Sequence, residues 1–338
     1  MHGWIIIDKP HGLGSTQAVS AVKRAFRQAG AGKVKVGHGG TLDPLATGVL
    51  PIAVGEATKL AGRMLDSDKI YDFTIAFGAQ TDTLDLEGVV IAQSDVRPTL
   101  ADVAAILPRF TGPIDQAPPA YSAILIDGQR AYDLARAGEA VEMKLRAVTV
   151  HSLILPGTGK GTVAEGDGGG GLPQAQRLEA APLHQPAAGP TPRAGEELES
   201  ITLTAHVSKG TYIRSLARDI AIALRTVGHV IMLRRVKAGP FTLENAITLD
   251  NLRDAANARA IAQLMLPLTA GLDDILALSV SPQEAAALRQ GRILSGDPRK
   301  QGLMLAMEGE TPVALVEASG LEIKVVRGFN LMPKEDSE

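Results

Sequence analysis

The run Gly37 to Ile52, GHGGTLDPLATGVLPI, constrains this chain more than any other stretch, because glycines and a proline set one carboxylate, Asp43, between a histidine and apolar residues. Gly37, Gly39 and Gly40 allow backbone angles and close approaches that a side chain would block, and Pro44 holds Asp43 extended, out of helical geometry. The segment reads as a loop that presents an acid at a fixed angle. The plainer alternative is an Asx-type turn in which Asp43 bonds only its own backbone.

The 338 residues, 45% of them hydrophobic, can bury a large core, and the length suits one large domain plus a smaller one. Cysteine is absent, which excludes disulfides, thiolate metal sites and cysteine nucleophiles. The opening MHGWIIIDKP reads as a strand rather than a signal peptide, and no apolar run is long enough to cross a bilayer, so the expected location is cytoplasmic. A net charge of −3 argues against a uniformly basic coat, yet the charge is uneven. From Lys209 to Lys237 the cations Arg214, Arg218, Arg225, Arg234 and Arg235 are opposed only by Asp219, and Lys23, Arg24, Arg27, Lys33 and Lys35 precede the glycine loop. Both clusters could face phosphates or be ordinary solvated faces.

Hydrophobic spacing predicts a strand at Gly3 to Ile7, then a helix N-capped by Ser15 or Thr16 and stopped at Gly30. After the loop, Gly55 to Leu65 reads as helix, and Tyr71, Phe73, Ile75 and Phe77 alternate as in a half-buried strand. Helices are expected at Thr99 to Leu107 and Arg130 to Ala137, and a strand at Val141 to Leu155. From Pro156 to about Glu196 the chain is rich in glycine, alanine and proline and reads as a disordered insertion between two neighbouring strands, the second being Ile201 to Val207. Next, Ile213, Leu216, Ala217, Ile220 and Leu224 form a buried helical stripe, with Arg214, Arg218 and Arg225 expected off it. A strand over HVIMLRRVKAGPF follows, and beyond Gly271 three short strands and a helix at Pro282 to Arg289 suit a small, mostly β appendix.

The seven histidines are scattered with no metal-ligand spacing, so no metal is expected. The Walker pattern is missing, which sets aside nucleotide triphosphate chemistry, and no G-x-S-x-G elbow supports a serine nucleophile. A lone carboxylate beside basic surfaces remains.

Five motifs, DKPHGLGST, GHGGTLDPLATGVLPI, DSDKIYDFTIAFGAQTDTLDLEG, PPAYSA and SKGTYIRSLARDI, resemble in order and spacing the tRNA pseudouridine synthase B family, from Ile5 to about Pro240. The resemblance implies an α+β pseudouridine synthase fold, a mixed and mainly antiparallel sheet flanked by helices, with a small, mostly β, PUA-like C-terminal domain. The implied boundaries are 1–265 for the catalytic domain, including the insertion at 156–196, and 271–332 for the RNA-binding domain. The implied activity is an isomerase that turns uridine-55 in the T loop of tRNA into pseudouridine. A C–N glycosidic bond is broken and the uracil is rejoined through carbon, so no cofactor is expected. The implied partner is the T arm of tRNA, with no protein or membrane partner and a monomeric state.

Carried over residue by residue, Asp43 matches the family's essential aspartate, which acts either on the ribose or on the uracil ring; both roles need it ionised. Arg214 is the implied guanidinium that keeps it charged. Tyr71 would stack on the target base and take the final proton, although its strand also fits a core aromatic. Tyr212 would pack by the flipped base, Lys209 shape the pocket or meet phosphate, and Leu233 form an apolar wall; each of the first two could instead be structural. His38 matches a histidine that fills the space vacated by the base, or else is a structural histidine. Asp82 and Asp85 read as turn residues. Ala123 to Val150 would be a thumb offering Arg130, Arg136, Lys144 and Arg146 to phosphates. Two departures from the family stand out: Leu125 replaces a common lysine, and the insertion after Pro156 is unusual. The rival reading is a non-catalytic RNA-binding protein or tRNA folding chaperone; a base-removing glycosidase would want two carboxylates.

Overall fold

The computed structural model describes residues 1–331 apart from 123, 127, 140–142, 157–160 and 164–194. Nearly all of the stretch expected to be a disordered insertion lies outside the described residues. In chain order the elements that position the site are β1 (Gly3–Lys9), α1 (Ser15–Gln28), β2 (Val36–His38), β3 (Thr47–Val54), β4 (Lys69–Phe77), β5 (Arg146–Ile154), β6 (Ser200–Val207), α2 (Ile213–Ala223) and β7 (Gly228–Ala238). By packing, the chain divides into two compact units, Met1–Ser67 with Arg235–Glu338, and Asp68–Arg234.

In the first unit β1 runs antiparallel to β3 from Gly3↔Val54 to Lys9↔Gly48, and β2 lines the same strand with His38 opposite Ile52. Both strands are apolar on both faces, so β1 and β3 are buried almost throughout. α1 buries Ala18, Val19, Val22, Ala25 and Phe26, the stripe its spacing predicts. Its N-cap, however, is Gly14, not Ser15 or Thr16. The Ser15 hydroxyl is used elsewhere: it accepts from the Leu42 amide at 2.8 Å and donates to the Leu42 carbonyl at 2.9 Å.

The C-terminal part of this unit holds a five-stranded sheet with the helix Pro282–Arg289 against it. It is mostly β, as expected. It is also joined to the rest of the unit by a common core, in which Leu305, Leu315 and Phe329 cluster with Trp4, Phe241 and Leu268. Trp4 is fully buried, donates from Nε1 to the Leu268 carbonyl at 3.1 Å, and lies 5.3 Å from the Phe241 ring centre.

In the second unit β6 pairs with β4 on one side and β5 on the other, all antiparallel, and the strand Gly112–Gln116 extends the sheet beyond β5. The insertion's flanking strands are therefore neighbours. Strand β5 is shorter than expected: it begins at Arg146, and the residues 143–145 before it are irregular. Phe73, Ile75 and Phe77 of β4 meet Leu203 and Ala205 of β6 beneath Leu216, Ala217 and Ile220 of α2, with Tyr71 half-buried at the end of this core. No helix of the described residues is long and apolar enough to cross a membrane.

Candidate active site

In the first unit the loop around Asp43 is clamped on both sides of the carboxylate. Upstream, Ser15 takes both backbone groups of Leu42. Downstream, the Pro44 carbonyl accepts from the Gly12 amide at 2.9 Å and from Lys9 Nζ at 3.1 Å, and the Ala46 amide closes a turn onto the Asp43 carbonyl at 3.0 Å. Asp43 itself stays half-buried. Lys9 sits at the end of β1 with no exposed surface, and its three donors also reach the carbonyls of Pro10 at 3.0 Å and Leu13 at 2.6 Å. Burial pushes the Lys9 amine down to about 8, Asp43 pulls it back up, and Arg235 presses it lower.

Arg235, at the end of β7, is 1% exposed and donates to the carbonyls of Val49 at 2.8 Å, Thr41 at 3.3 Å and Gly40 at 3.3 Å. One guanidinium thus spans both ends of the glycine loop. The glycines differ in what they allow. Gly40 has φ +140° over Arg235, and a Cβ on Gly39 would stand 2.6 Å from Met64 Cβ. Gly37 needs no such freedom, since a Cβ there would meet nothing within 4 Å. His38 Nδ1 is buried with no hydrogen-bond partner among the described residues, and burial, then the nearby Arg235, hold its pKa below the ordinary imidazole value. It is therefore a neutral ring near pH 7.

In the second unit Arg214 lies one residue into α2. The sequence reading set it off the buried stripe; it is instead 7% exposed. Its Nη1 pairs with Asp85 at 3.1 Å and donates to the Thr83 carbonyl at 2.8 Å, while Nη2 donates to the Tyr121 carbonyl at 2.9 Å. Asp85 in turn accepts from Thr83 Oγ1 at 2.6 Å and the Glu87 amide at 3.0 Å. Asp82 makes the turn, accepting the amides of Thr83 and Val89, and also takes the Tyr121 hydroxyl at 3.1 Å. So the TDTLD segment does more than turn the chain: it holds the Arg214 guanidinium and, through the Tyr121 hydroxyl, the loop at Tyr121.

Tyr212 is the N-cap of α2, with its amide donating to Gln116 Oε1 at 2.8 Å. Lys209 is exposed in the turn before it, Leu233 packs half-buried against the core of this unit, and Tyr71 does the same from β4. On the other face of β4, burial raises the Asp72 pKa, with the Thr204 hydroxyl at 2.6 Å and Arg234 opposing the shift. Arg130, Arg136, Lys144 and Arg146 are all exposed, and Arg136 lies 5.6 Å over the Tyr132 ring.

A model described as TruB family pseudouridylate synthase (N terminal domain) matches residues 23–162, and one described as tRNA pseudouridylate synthase B C-terminal domain matches residues 214–273. Over 329 residues, 97% of each chain, the sequence is 58% identical to tRNA pseudouridine synthase B of Novosphingobium aromaticivorans. The chain belongs to the TruB family of pseudouridylate synthases. A second relative, tRNA pseudouridine synthase B of Zymomonas mobilis, is 54% identical over 98% of this chain and 96% of that one. Among solved structures, a chain from a Cbf5-Nop10-Gar1 complex matches with TM-score 0.65 at 24% identity, covering 98% of this chain and 85% of that one. That likeness fixes the architecture as the α+β pseudouridine synthase fold with its mostly β C-terminal part. Pseudouridine synthases are isomerases, and membership of TruB makes this chain one.

Sequence reasoning missed three residues that hold these segments in place, each within its own unit. Lys9 is one; its signal was a lysine closing the apolar strand GWIIIDK, where a charge is expected only if its donors are used. Asp85, read only as a turn residue, and Gln116 are the others; no periodicity marks a residue whose task is to hold a partner more than ninety positions away.

Proposed function

We propose that this TruB-family chain converts uridine-55 in the T loop of tRNA to pseudouridine, with Asp43 as the catalytic carboxylate. The observation that carries the reading is the double clamp, through Leu42 and Pro44, that fixes the backbone on both sides of Asp43 while leaving its side chain partly open. A carboxylate that must meet one atom of a flipped nucleotide gains most from such fixed geometry. The two relatives reported above, each a tRNA pseudouridine synthase B, support tRNA as substrate.

In this reading Asp43 acts on the ribose or the uracil after the T-loop uridine is extruded. The C1′–N1 bond breaks, C1′ joins carbon five, the carbon-five proton leaves with Tyr71 its acceptor, and N1 takes up one proton, so that the product is an isomer of the starting uridine. Tyr212 and Leu233 flank the base, Arg214 supplies fixed positive charge, Lys209 meets phosphate, and the neutral His38 ring fills the vacated space. The exposed Arg130, Arg136, Lys144 and Arg146 grip the T arm through its backbone, and the C-terminal β segment is read as a PUA-like RNA contact. A monomer in the cytoplasm suffices for this work.

The test is tritium release from carbon five of uridine in a labelled T-arm RNA, comparing the unmodified chain with Asp43→Asn. The expected result is release by the first, none by the second, and RNA binding by both. Binding without release from either protein would leave the folding-chaperone reading.

A further inference from the structure

The second unit contains a group of side chains that pseudouridine formation does not use. Asp68 just before β4, His151 on β5 and His206 on β6 lie 83 and 55 residues apart in sequence yet place their ligand atoms within 4.8 Å of one another. Asp68 Oδ2 stands 3.2 Å from His151 Nε2 and 3.7 Å from His206 Nε2, and the two imidazole rings are 4.7 Å apart, tilted by 46°.

A break in sheet register assembles the group. Val150 pairs with Val207 but Ser152 pairs with His206, so His151 is an extra residue on β5, a β-bulge. Without it the alternation of β5 would continue through Val148 and Val150 to Ser152; with it the buried set is Val148, Val150 and Leu153, and His151 joins His206 on the open face. Bulges of this kind re-aim a side chain. The His151 Nε2 atom is shielded from solvent and has no hydrogen-bond partner among the described residues, although a carboxylate oxygen is close. Buried polar atoms are seldom left so. Such a contact, near but off the hydrogen-bond direction, is how two ligands of one cation face each other, because each lone pair points at the cation instead of at its neighbour.

Distances agree with that geometry. Zinc bonds of about 2.0–2.2 Å to imidazole nitrogen and carboxylate oxygen put tetrahedral ligand atoms roughly 3.3–3.5 Å apart. The two measured edges, 3.2 and 3.7 Å, bracket this range. The third edge closes by side-chain rotation, for which exposures of 36% for His151, 39% for His206 and 48% for Asp68 leave room.

We propose that Asp68, His151 and His206 form a binding site for one divalent cation of the zinc class, completed by water, that clips β4, β5 and β6 together at one end. Two imidazoles and a carboxylate favour zinc or cobalt over magnesium or calcium, which prefer all-oxygen sites. The test uses the full chain, free of any tag and stripped with chelator, titrated with Zn²⁺ by calorimetry and with Co²⁺ by visible absorption. Expected are one equivalent bound, cobalt d–d bands, and a zinc-dependent rise in Tm. Asp68→Asn, His151→Gln and His206→Gln should each weaken binding at least tenfold and abolish the Tm rise, while His11→Gln, at an exposed histidine, should not. Circular dichroism checks that each variant folds. Should one fail to fold, the unmutated protein still decides: zinc must move the ring NMR signals of two histidines and no others. No binding, or binding untouched by all three substitutions, overturns the site.

Discussion

At the scale of single residues, two buried cations, Lys9 and Arg235, organise the loop around Asp43, and each makes a different demand. Arg235 satisfies three carbonyls of the loop and of β3 from a position with 1% exposure. Arg235→Met keeps much of the stem's packing and leaves those carbonyls unpaired, so a loss of at least about 2 kcal/mol is expected in urea unfolding. Tritium release should fall with it, because the loop that holds Asp43 loosens. Lys9 gives a pH signature. Its folded pKa, about 8, is depressed below the unfolded lysine value, so the unfolded chain binds the extra proton between the two. Stability from this group is therefore full above the unfolded value and is lost as pH falls toward 8. Urea midpoints of the unmodified chain should gain on those of Lys9→Met between pH 8 and 10. A difference that stays flat over that window would mean Lys9 is not depressed.

At the scale of elements, the sharpest consequence concerns β3 and its one glycine. Gly48 has φ +100°, and a Cβ there would stand 2.1 Å from the Arg235 carbonyl oxygen. Gly48→Ala should cost well over the ~1 kcal/mol scale of compatible glycine changes, since strain and a backbone clash add. Gly37→Ala, facing open space at an ordinary φ, should be near neutral. Paired thermal melts of the two variants decide the point, and similar losses from both would refute it. The contrast also shows how far the sequence was legible. Alternation and helical spacing recover β4, β6, α1 and α2, because each buries one face against a core that the pattern itself describes. They misplace what depends on long-range partners. Ser15 looks like a cap until Leu42 arrives, Arg214 looks solvated until Asp85 and two carbonyls surround it, and Gly37 looks as constrained as Gly40. The fixed backbone on either side of Asp43 was legible because proline and glycine constrain locally; the Asp68, His151 and His206 group was not, because a bulge and segments far apart in sequence assemble it.

At the scale of the whole molecule, the role of the C-terminal β segment depends on what its removal exposes. A module that serves only to grip RNA could be cut away with loss of affinity alone. Here Leu305, Leu315 and Phe329 share a core with Trp4 and Phe241, Lys59 donates to the Gly328 carbonyl at 2.9 Å, and the Asn330 amide donates to Glu56 at 2.7 Å. Ending the chain after Ile275 would strip apolar cover from Trp4, which is tied to β3 across from Ala53. The truncated chain should melt lower and aggregate, and the proposed T-arm isomerisation should fail for want of a folded first unit. A milder probe separates folding from binding. Phe329 is 2% exposed, and Phe329→Ala should cost about 3–5 kcal/mol, read by urea unfolding in the absence of RNA. If that variant kept its stability and lost only tRNA affinity, the segment would be a detachable RNA contact; a loss of stability makes it part of the scaffold on which the Asp43 loop is built.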